Sequence, residues 1–414
     1  MSSFEPVYRT RPGAEAMRPA AAERAEPVAP GLWCSPGLSN SYLLTTGDGR
    51  VIVNTGMGFE GPVHRANFDA VDPSPVRYVI ITQGHVDHVG GLDSVRDPGT
   101  TVVAQANWTM WRDDNERLMP YRAKRSAFAF SDTLASGIRA IQRRLGTTGL
   151  PGQSVPAVDL DFEDTLALEV GGRRLELISV PGGETTDSLV VWLPDERICL
   201  CGNTFGALFG HIPNLVTMRG DRYRDALTVI ASVERVRDLQ PELLVTGHFE
   251  PIAGAERIHA ELTRLRDAVR HVHDRTVAGM NAGKDVATLM REITLPAECE
   301  VGQGYGKVAW DVRAVWENYS GWFHHRSTTE LYPVGFDAVA ADVVELAGAE
   351  ALVERARAHL DADRPLHAIH LAELVPPDHA GARGVLRRAH ERLLADSTNF
   401  WETAWLKKKL VTNP

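Results

Sequence analysis

The stretch Val76-Arg77-Tyr78-Val79-Ile80-Ile81-Thr82-Gln83-Gly84-His85-Val86-Asp87-His88-Val89-Gly90-Gly91 decides the fold. Residues 76–82 are a largely apolar run that suits a buried strand. A polar loop follows, with imidazoles and one carboxylate within six residues, and Gly90 and Gly91 then open a helix. Nitrogen and oxygen donors packed so closely suit a divalent metal that accepts both. The plainer reading is a polar loop with surface histidines, but the strand-loop-glycine context favours the metal.

Other strand signals surround this run. Residues 41–45 and 51–53 flank the turn Gly47-Asp48-Gly49 and predict a hairpin. Residues 101–104 resemble the next strand, and 166–170, 174–180, 188–193 and 198–202 a second set. The segment 243–246 completes the series just before Gly247-His248. Between the sets, residues 107–156 mix Trp108, Trp111, Met119, Tyr121, Phe128 and Phe130 with many charges, which predicts a helical or loop insertion at the sheet edge. After about residue 255 the pattern turns to amphipathic helices, such as 257–280 and 349–360.

A chain of 414 residues exceeds what one core usually covers, so two domains are expected. Its net charge of -10 argues against non-specific binding to nucleic acid, which needs clustered Lys and Arg. Cys34, Cys199, Cys201 and Cys299 have no zinc-pair spacing, and they read as small buried residues in a reducing compartment. No apolar run approaches the roughly 20 residues that span a bilayer, so no membrane partner is expected. Residues 1–30 lack the apolar stretch of a secretory signal and read as a flexible arm that packs on a partner subunit. Cytoplasmic residence follows as the default.

The central loop resembles the His-x-His-x-Asp-His loop of the metallo-β-lactamase superfamily, with Gln83 in place of the first His. Leu244-Val245-Thr246-Gly247-His248 is similar to the strand whose terminal His closes the second metal site, and Asn54-Thr55-Gly56 stands where Asp-Thr-Gly is usual. Pro181-Gly182-Gly183-Glu184 replaces the usual Pro-Gly-His turn, and that Glu is similar to the alkylsulfatase branch. Further likeness to that branch lies in Pro213-Asn214-Leu215-Val216-Thr217-Met218-Arg219-Gly220, in Tyr305-Gly306, in Trp310-Asp311-Val312-Arg313-Ala314-Val315 and in Tyr319-Ser320-Gly321-Trp322-Phe323. The resemblance implies an α/β fold: a metallo-β-lactamase αββα sandwich over 31–255, then an all-α dimerisation domain over 256–414. A homodimer is the expected assembly.

Carried over by position, the resemblance makes Asp87, His88 and His248 one metal site. Gln83, His85 and Glu184 make the other, with Asn203 where the bridging carboxylate would stand. Two amides in the latter make weak donors, so this site should bind zinc less tightly. Once filled, it would be more positive than its relatives, because a bridging anion is missing. The implied cofactor is one or two zinc ions, with iron or manganese as alternatives. Gln83 also reads as a hydrogen-bonding residue that never touches metal, and Asn54 and Asn203 as structural amides.

The expected chemistry is hydrolysis of a small anionic ester by metal-activated hydroxide, with Asp87 and Glu184 as catalytic carboxylates. Asn214 and Arg219 would grip the anionic head group, although such residues also serve as ordinary loop partners. The sequence stops at Pro414, before the lipid-carrier-like domain of detergent-degrading alkylsulfatases, so a long alkyl substrate is not the expectation. Two other classes remain open on these residues: a non-haem iron oxygenase or lyase on the same fold, and a degenerate, non-catalytic binding protein. Tyr305 and the Trp310, Trp316 and Trp322 set read as core. His211, His324 and His325 read as surface or interface residues.

Overall fold

The structure, a computed structural model, describes residues 4–19 and 24–412. It divides into two compact units, the first ending at Trp316 and the second starting at Glu317.

The first unit holds two sheets. One runs in sequence order: β1 (Glu26–Ala29), β2 (Leu32–Ser35), β3 (Ser41–Thr46), β4 (Gly49–Val53), β5 (Val76–Ile80), β6 (Thr101–Gln105) and β7 (Leu160–Phe162). Strands β1 to β4 are antiparallel, and β4 to β7 are parallel neighbours. The other sheet contains β8 (Thr165–Val170), β9 (Arg173–Ser179), β10 (Leu189–Leu193), β11 (Ile198–Gly202), β12 (Leu243–Thr246) and β13 (Ile252–Ala253), in the order 13-12-11-10-9-8. Its parallel pair is β11 with β12.

Side-chain alternation turns these sheets into a sandwich. Val51, Val53, Ile80 and Val103 point inward and pack with Leu175, Leu177, Leu189, Val191, Leu200 and Val245. Their neighbours Ile52, Val79, Ile81 and Val102 point outward onto Phe68 of the helix Gly61–Val71 and onto Trp108. On the far side Val190, Trp192, Cys199, Cys201 and Leu244 meet Val229 and Val233 of the helix Ala226–Asp238, with Ile258, Leu262 and Leu265 of the helix Ala255–Asn281. Helix, sheet, sheet and helix layers result, as the αββα expectation required. Both faces of each sheet are covered, which is why the strands read as nearly continuous apolar runs.

The predicted hairpin forms, with Thr46 opposite Gly49 across a two-residue turn. Residues 107–156 hold one helix of 38 residues, Trp108–Leu145, which runs through Pro120 and ends at a left-handed Gly146. Most of its charges face outward, but Asp114 and Arg122 are buried along with Trp108, Trp111 and Ile141.

Two expected boundaries differ from what the structure shows. The arm over 1–30 does not trail away where it is described: Val7 is fully buried in the core beside the second sheet, and Met17 packs with Leu38, Met57 and Ile141. Nor does the first unit end near 255, because the apolar face of the helix Ala255–Asn281 belongs to its core. Amphipathic texture marks a helix but not the sheet it covers.

The second unit is a helical bundle. Leu352, Val353 and Ala356 of the helix Ala349–Asp361 pack with Ala368 and Ala372 of Pro365–Ala372 and with Ala382 and Val385 of Ala380–Asp396. The apolar stripe anticipated on this helix is therefore covered by its own bundle. Tyr332, Phe336 and Leu346 remain exposed.

Candidate functional site

The loop after β5 begins with a splint. Asn54, left-handed at φ 60, accepts both the Thr82 backbone N–H and its hydroxyl at 3.0 Å. An Asn in place of the usual Asp is thus a structural amide here. Gly84 is required by crowding: a Cβ there would lie 1.9 Å from the Trp111 ring. Trp111 in turn meets His85 edge to face, at 5.2 Å between centroids. Rather than leading into a helix only at Gly90, the loop already makes a single helical turn, Val86–Val89.

Asp87, His88 and His248 come together. His88 Nε2 stands 3.6 Å from Asp87 Oδ2, and the rings of His88 and His248 meet edge to face, 6.5 Å between centroids. The Ser39 hydroxyl lies 3.2 Å from His88 Nδ1. Burial lowers both imidazoles, His248 to about 4, so they are neutral at pH 7. For Asp87, burial pulls upward, but the nearby histidines outweigh it and keep the carboxyl below its usual range. Neutral imidazoles and an ionised carboxylate are the protonation states that a metal requires.

The second cluster is differently occupied. Gln83 Nε2 lies 2.9 Å from His85 Nδ1, and Glu184 Oε2 lies 3.5 Å from the same nitrogen. On the other side of the ring, Arg219 Nη2 approaches His85 Nε2 to 3.1 Å. Burial, and then the Arg219 charge, push His85 well below its usual value. Glu184 Oε2 accepts from Arg224 at 3.1 Å. Asn203 turns its amide nitrogen toward His248 Nε2 at 3.1 Å. Gly183 makes room for this pairing of loops, since a Cβ would meet the Thr204 carbonyl at 1.4 Å.

Three residues that sequence reasoning missed organise this half. Arg224, buried, joins Glu184 to the Asn214 carbonyl, to which it donates at 2.6 Å. Asp221 accepts from Arg219 at 3.0 Å and lies 3.5 Å from Arg122. Burial alone would raise Asp221, yet Arg219, His85, Arg224 and Arg122 hold it well below the carboxylate range. Asp221 and Arg224 directly follow the Asn214–Gly220 motif, so extending that motif by four residues was the signal available. Arg122 lay in an insertion with no motif to mark it.

Part of this set lines a cavity of about 180 Å³. His85, Asp87, Glu184, Asn203, Arg219 and His248 line it together with Tyr305, which is therefore a wall residue and not simply core. Met17, Leu38, Met57, Phe130 and Leu134 supply apolar wall. Asn214 is buried but does not line this cavity; its side-chain oxygen has no hydrogen-bond partner among the described residues. A second cavity, of about 480 Å³, adjoins Met17 and His248 but no other candidate ligand. His211 lies elsewhere and accepts from the Gly304 N–H at 2.9 Å.

No three His, Cys, Asp or Glu side chains among the described residues form a finished metal cage. Donor chemistry nonetheless fits a divalent ion at Asp87, His88 and His248, two neutral imidazoles beside an ionised carboxylate. The fit at Gln83, His85, Glu184 and Asn203 is poorer, because an amide or a guanidinium already engages His85 and Glu184.

The metallo-beta-lactamase superfamily model matches residues 34–248, more than half of the chain. This chain belongs to the metallo-beta-lactamase superfamily. A model for the alkyl sulfatase dimerisation region matches residues 287–409. Among curated proteins, the linear primary-alkylsulfatase of Pseudomonas sp. (strain ATCC 19151) is 27% identical over 384 residues, covering 87% of this chain and 71% of its own length. An alkyl/aryl-sulfatase of Saccharomyces cerevisiae is 26% identical over 302 residues, 68% of this chain and 46% of that protein. The chain thus spans only part of the length of these relatives. Among solved structures, the stereoselective inverting sec-alkylsulfatase from Pseudomonas sp. superposes with a TM-score of 0.81 at 21% identity, over 94% of this chain and 66% of the other. At that identity the likeness establishes the metallo-beta-lactamase fold with its helical region.

Proposed function

We propose that the protein is a metal-dependent hydrolase of small anionic esters, with sulfate esters as the first class to test. The observation that carries this reading is the meeting of Asp87, His248 and Arg219 around one cavity, with His88 buried behind Asp87 and His248. The alkylsulfatases among its relatives support the substrate class.

Asp87, His88 and His248 would hold one divalent ion, zinc being the expectation. Such an ion supplies Lewis acidity and an acidified water at neutral pH. Arg219 presents a guanidinium to the ester's anionic head, and a charge-assisted hydrogen bond there is among the stronger polar contacts. Glu184, held by Arg224, keeps its Oε1 buried with no partner among the described residues, so that oxygen is the group to accept a proton or a ligand. Asn214 acts through Arg224 rather than on the head group directly. Met17, Phe130 and Leu134 exclude water from the ester's organic portion. A homodimer built on the second unit is part of the proposal. Its support is the dimerisation-region match and the exposed Tyr332, Phe336 and Leu346.

The test is a panel of short alkyl sulfates, phosphate esters and matched neutral esters, assayed before and after chelation. Chelator-sensitive hydrolysis of the anionic members is expected. A preference for neutral esters would overturn the substrate class.

A further inference from the structure

The His248 loop is held by an unusual number of donors. It leaves β12 at Thr246 and passes Phe249 in a left-handed conformation, φ 61, which a bulky side chain keeps only when its surroundings impose it. Five successive carbonyls are engaged. Thr246 O accepts the Tyr42 hydroxyl at 2.7 Å, and Gly247 O accepts the Asn40 N–H at 2.7 Å. Phe249 O accepts from the Asn40 side chain at 3.1 Å. The remaining two accept from Arg11, whose Nη2 donates to His248 O at 3.0 Å, an oxygen shared with the Thr246 hydroxyl at 2.7 Å, and whose Nη1 donates to Glu250 O at 2.6 Å. Nη2 also donates to Thr246 Oγ1 at 3.0 Å.

Asn40 and Tyr42 belong to the first sheet and its edge, whereas Arg11 arrives from the N-terminal segment. That segment is anchored. Val7 is fully buried in the core, and the Arg11 N–H donates to Val7 O at 2.9 Å. A planar guanidinium reaching three fixed acceptors sets the loop's position; an ammonium is a point charge without that fork.

We infer that Arg11 is a positioning residue for the His248 metal ligand, which makes the N-terminal segment part of the active site. The assignment rests on reading Asp87, His88 and His248 as the ligand set. It acts through the backbone of the ligand and touches neither metal nor substrate. Outer-shell partners of metal ligands typically carry about 10–100-fold in metal affinity.

The experiment is zinc titration of metal-free protein against a competing chelator, with hydrogen exchange of residues 246–250 read in parallel. Arg11→Ala should weaken zinc binding about tenfold or more and speed exchange in that loop, while exchange in the helix Ala226–Asp238 stays unchanged. Arg11→Lys should fall between, and Arg9→Ala, which lies on the same segment, should match the parent. Parent-like affinity and exchange in a folded Arg11→Ala protein would overturn the inference. So would exchange that speeds equally across the whole unit, which would show a role in folding alone. A parent protein that binds no zinc would instead refute the ligand set itself.

Discussion

Two halves of one cavity have the same superfamily ancestry and different occupants. At Asp87, His88 and His248 two imidazoles and a carboxylate are in metal-ready protonation states, with the Ser39 hydroxyl beside His88 and the Asn203 amide beside His248. At Gln83, His85, Glu184 and Asn203, the imidazole already meets an amide and a guanidinium, and the carboxylate is paired with Arg224. On the proposed reading, a ligand set remains recognisable in sequence while organic cations take the place of one metal. Arg219 and Arg224 bring positive charge to the place where a first metal would bring it.

Breaking the intact half should have the largest effect. His248→Ala or Asp87→Ala should lower metal affinity by more than the roughly 10–100-fold typical of outer-shell changes; Gln83→Ala should change it little. Equal losses at Gln83 and His248, measured by metal analysis after dialysis, would erase the contrast between the halves.

Arg219→Ala tests the cation half. It should cost about 2–5 kcal/mol of transition-state binding for an anionic ester, because the partner charge is left buried and unpaired. A matched neutral ester should lose less. Equal losses in kcat/KM would place Arg219 in the fold, through Asp221 and His85, rather than on the substrate.

Rebuilding is gentler. Gln83→His combined with Asn203→Glu restores an imidazole and an anion to the weaker half. Metal stoichiometry should rise toward two per chain on the superfamily pattern. A stoichiometry unchanged from the parent would mean that the arginines, and not the amides, keep the position closed.

The last effect concerns stability. His64 is fully buried, with Nδ1 2.8 Å from Ser35 Oγ, and burial pushes its pKa to about 3 from 6.5. It is neutral in the fold and protonated in the unfolded chain below pH 6.5. Its contribution is therefore complete above that pH and lost as pH falls toward 3. Denaturation of metal-free protein should show stability falling on acidification by up to about 1.4 kcal/mol per pH unit from this one group. His64→Gln should flatten that slope; an unchanged slope would contradict the assignment.

The sandwich was legible because apolar runs and glycine turns are local, and both sheets bury both faces. Strands β1, β2, β7 and β13 were not, being short and at or near sheet edges where patterning is weak. Asp87, His88 and His248 were readable because their donors sit in short motifs at strand ends. Arg224 and Asp221, just past the Asn214–Gly220 motif, went unread because only the fold brings them to Glu184 and His85. Arg11 gave no signal at all: its carbonyl acceptors, on His248 and Glu250, stand 237 and 239 residues away in sequence, and carbonyls carry no side-chain signature.

Zinc titration of the metal-free parent protein, followed by calorimetry and checked by elemental analysis, tests the central claim most directly. One tight zinc per chain is expected, abolished by His248→Ala and retained in Gln83→Ala. Two zinc ions of comparable affinity in the unaltered protein would contradict the division of the site into a metal half and a cation half.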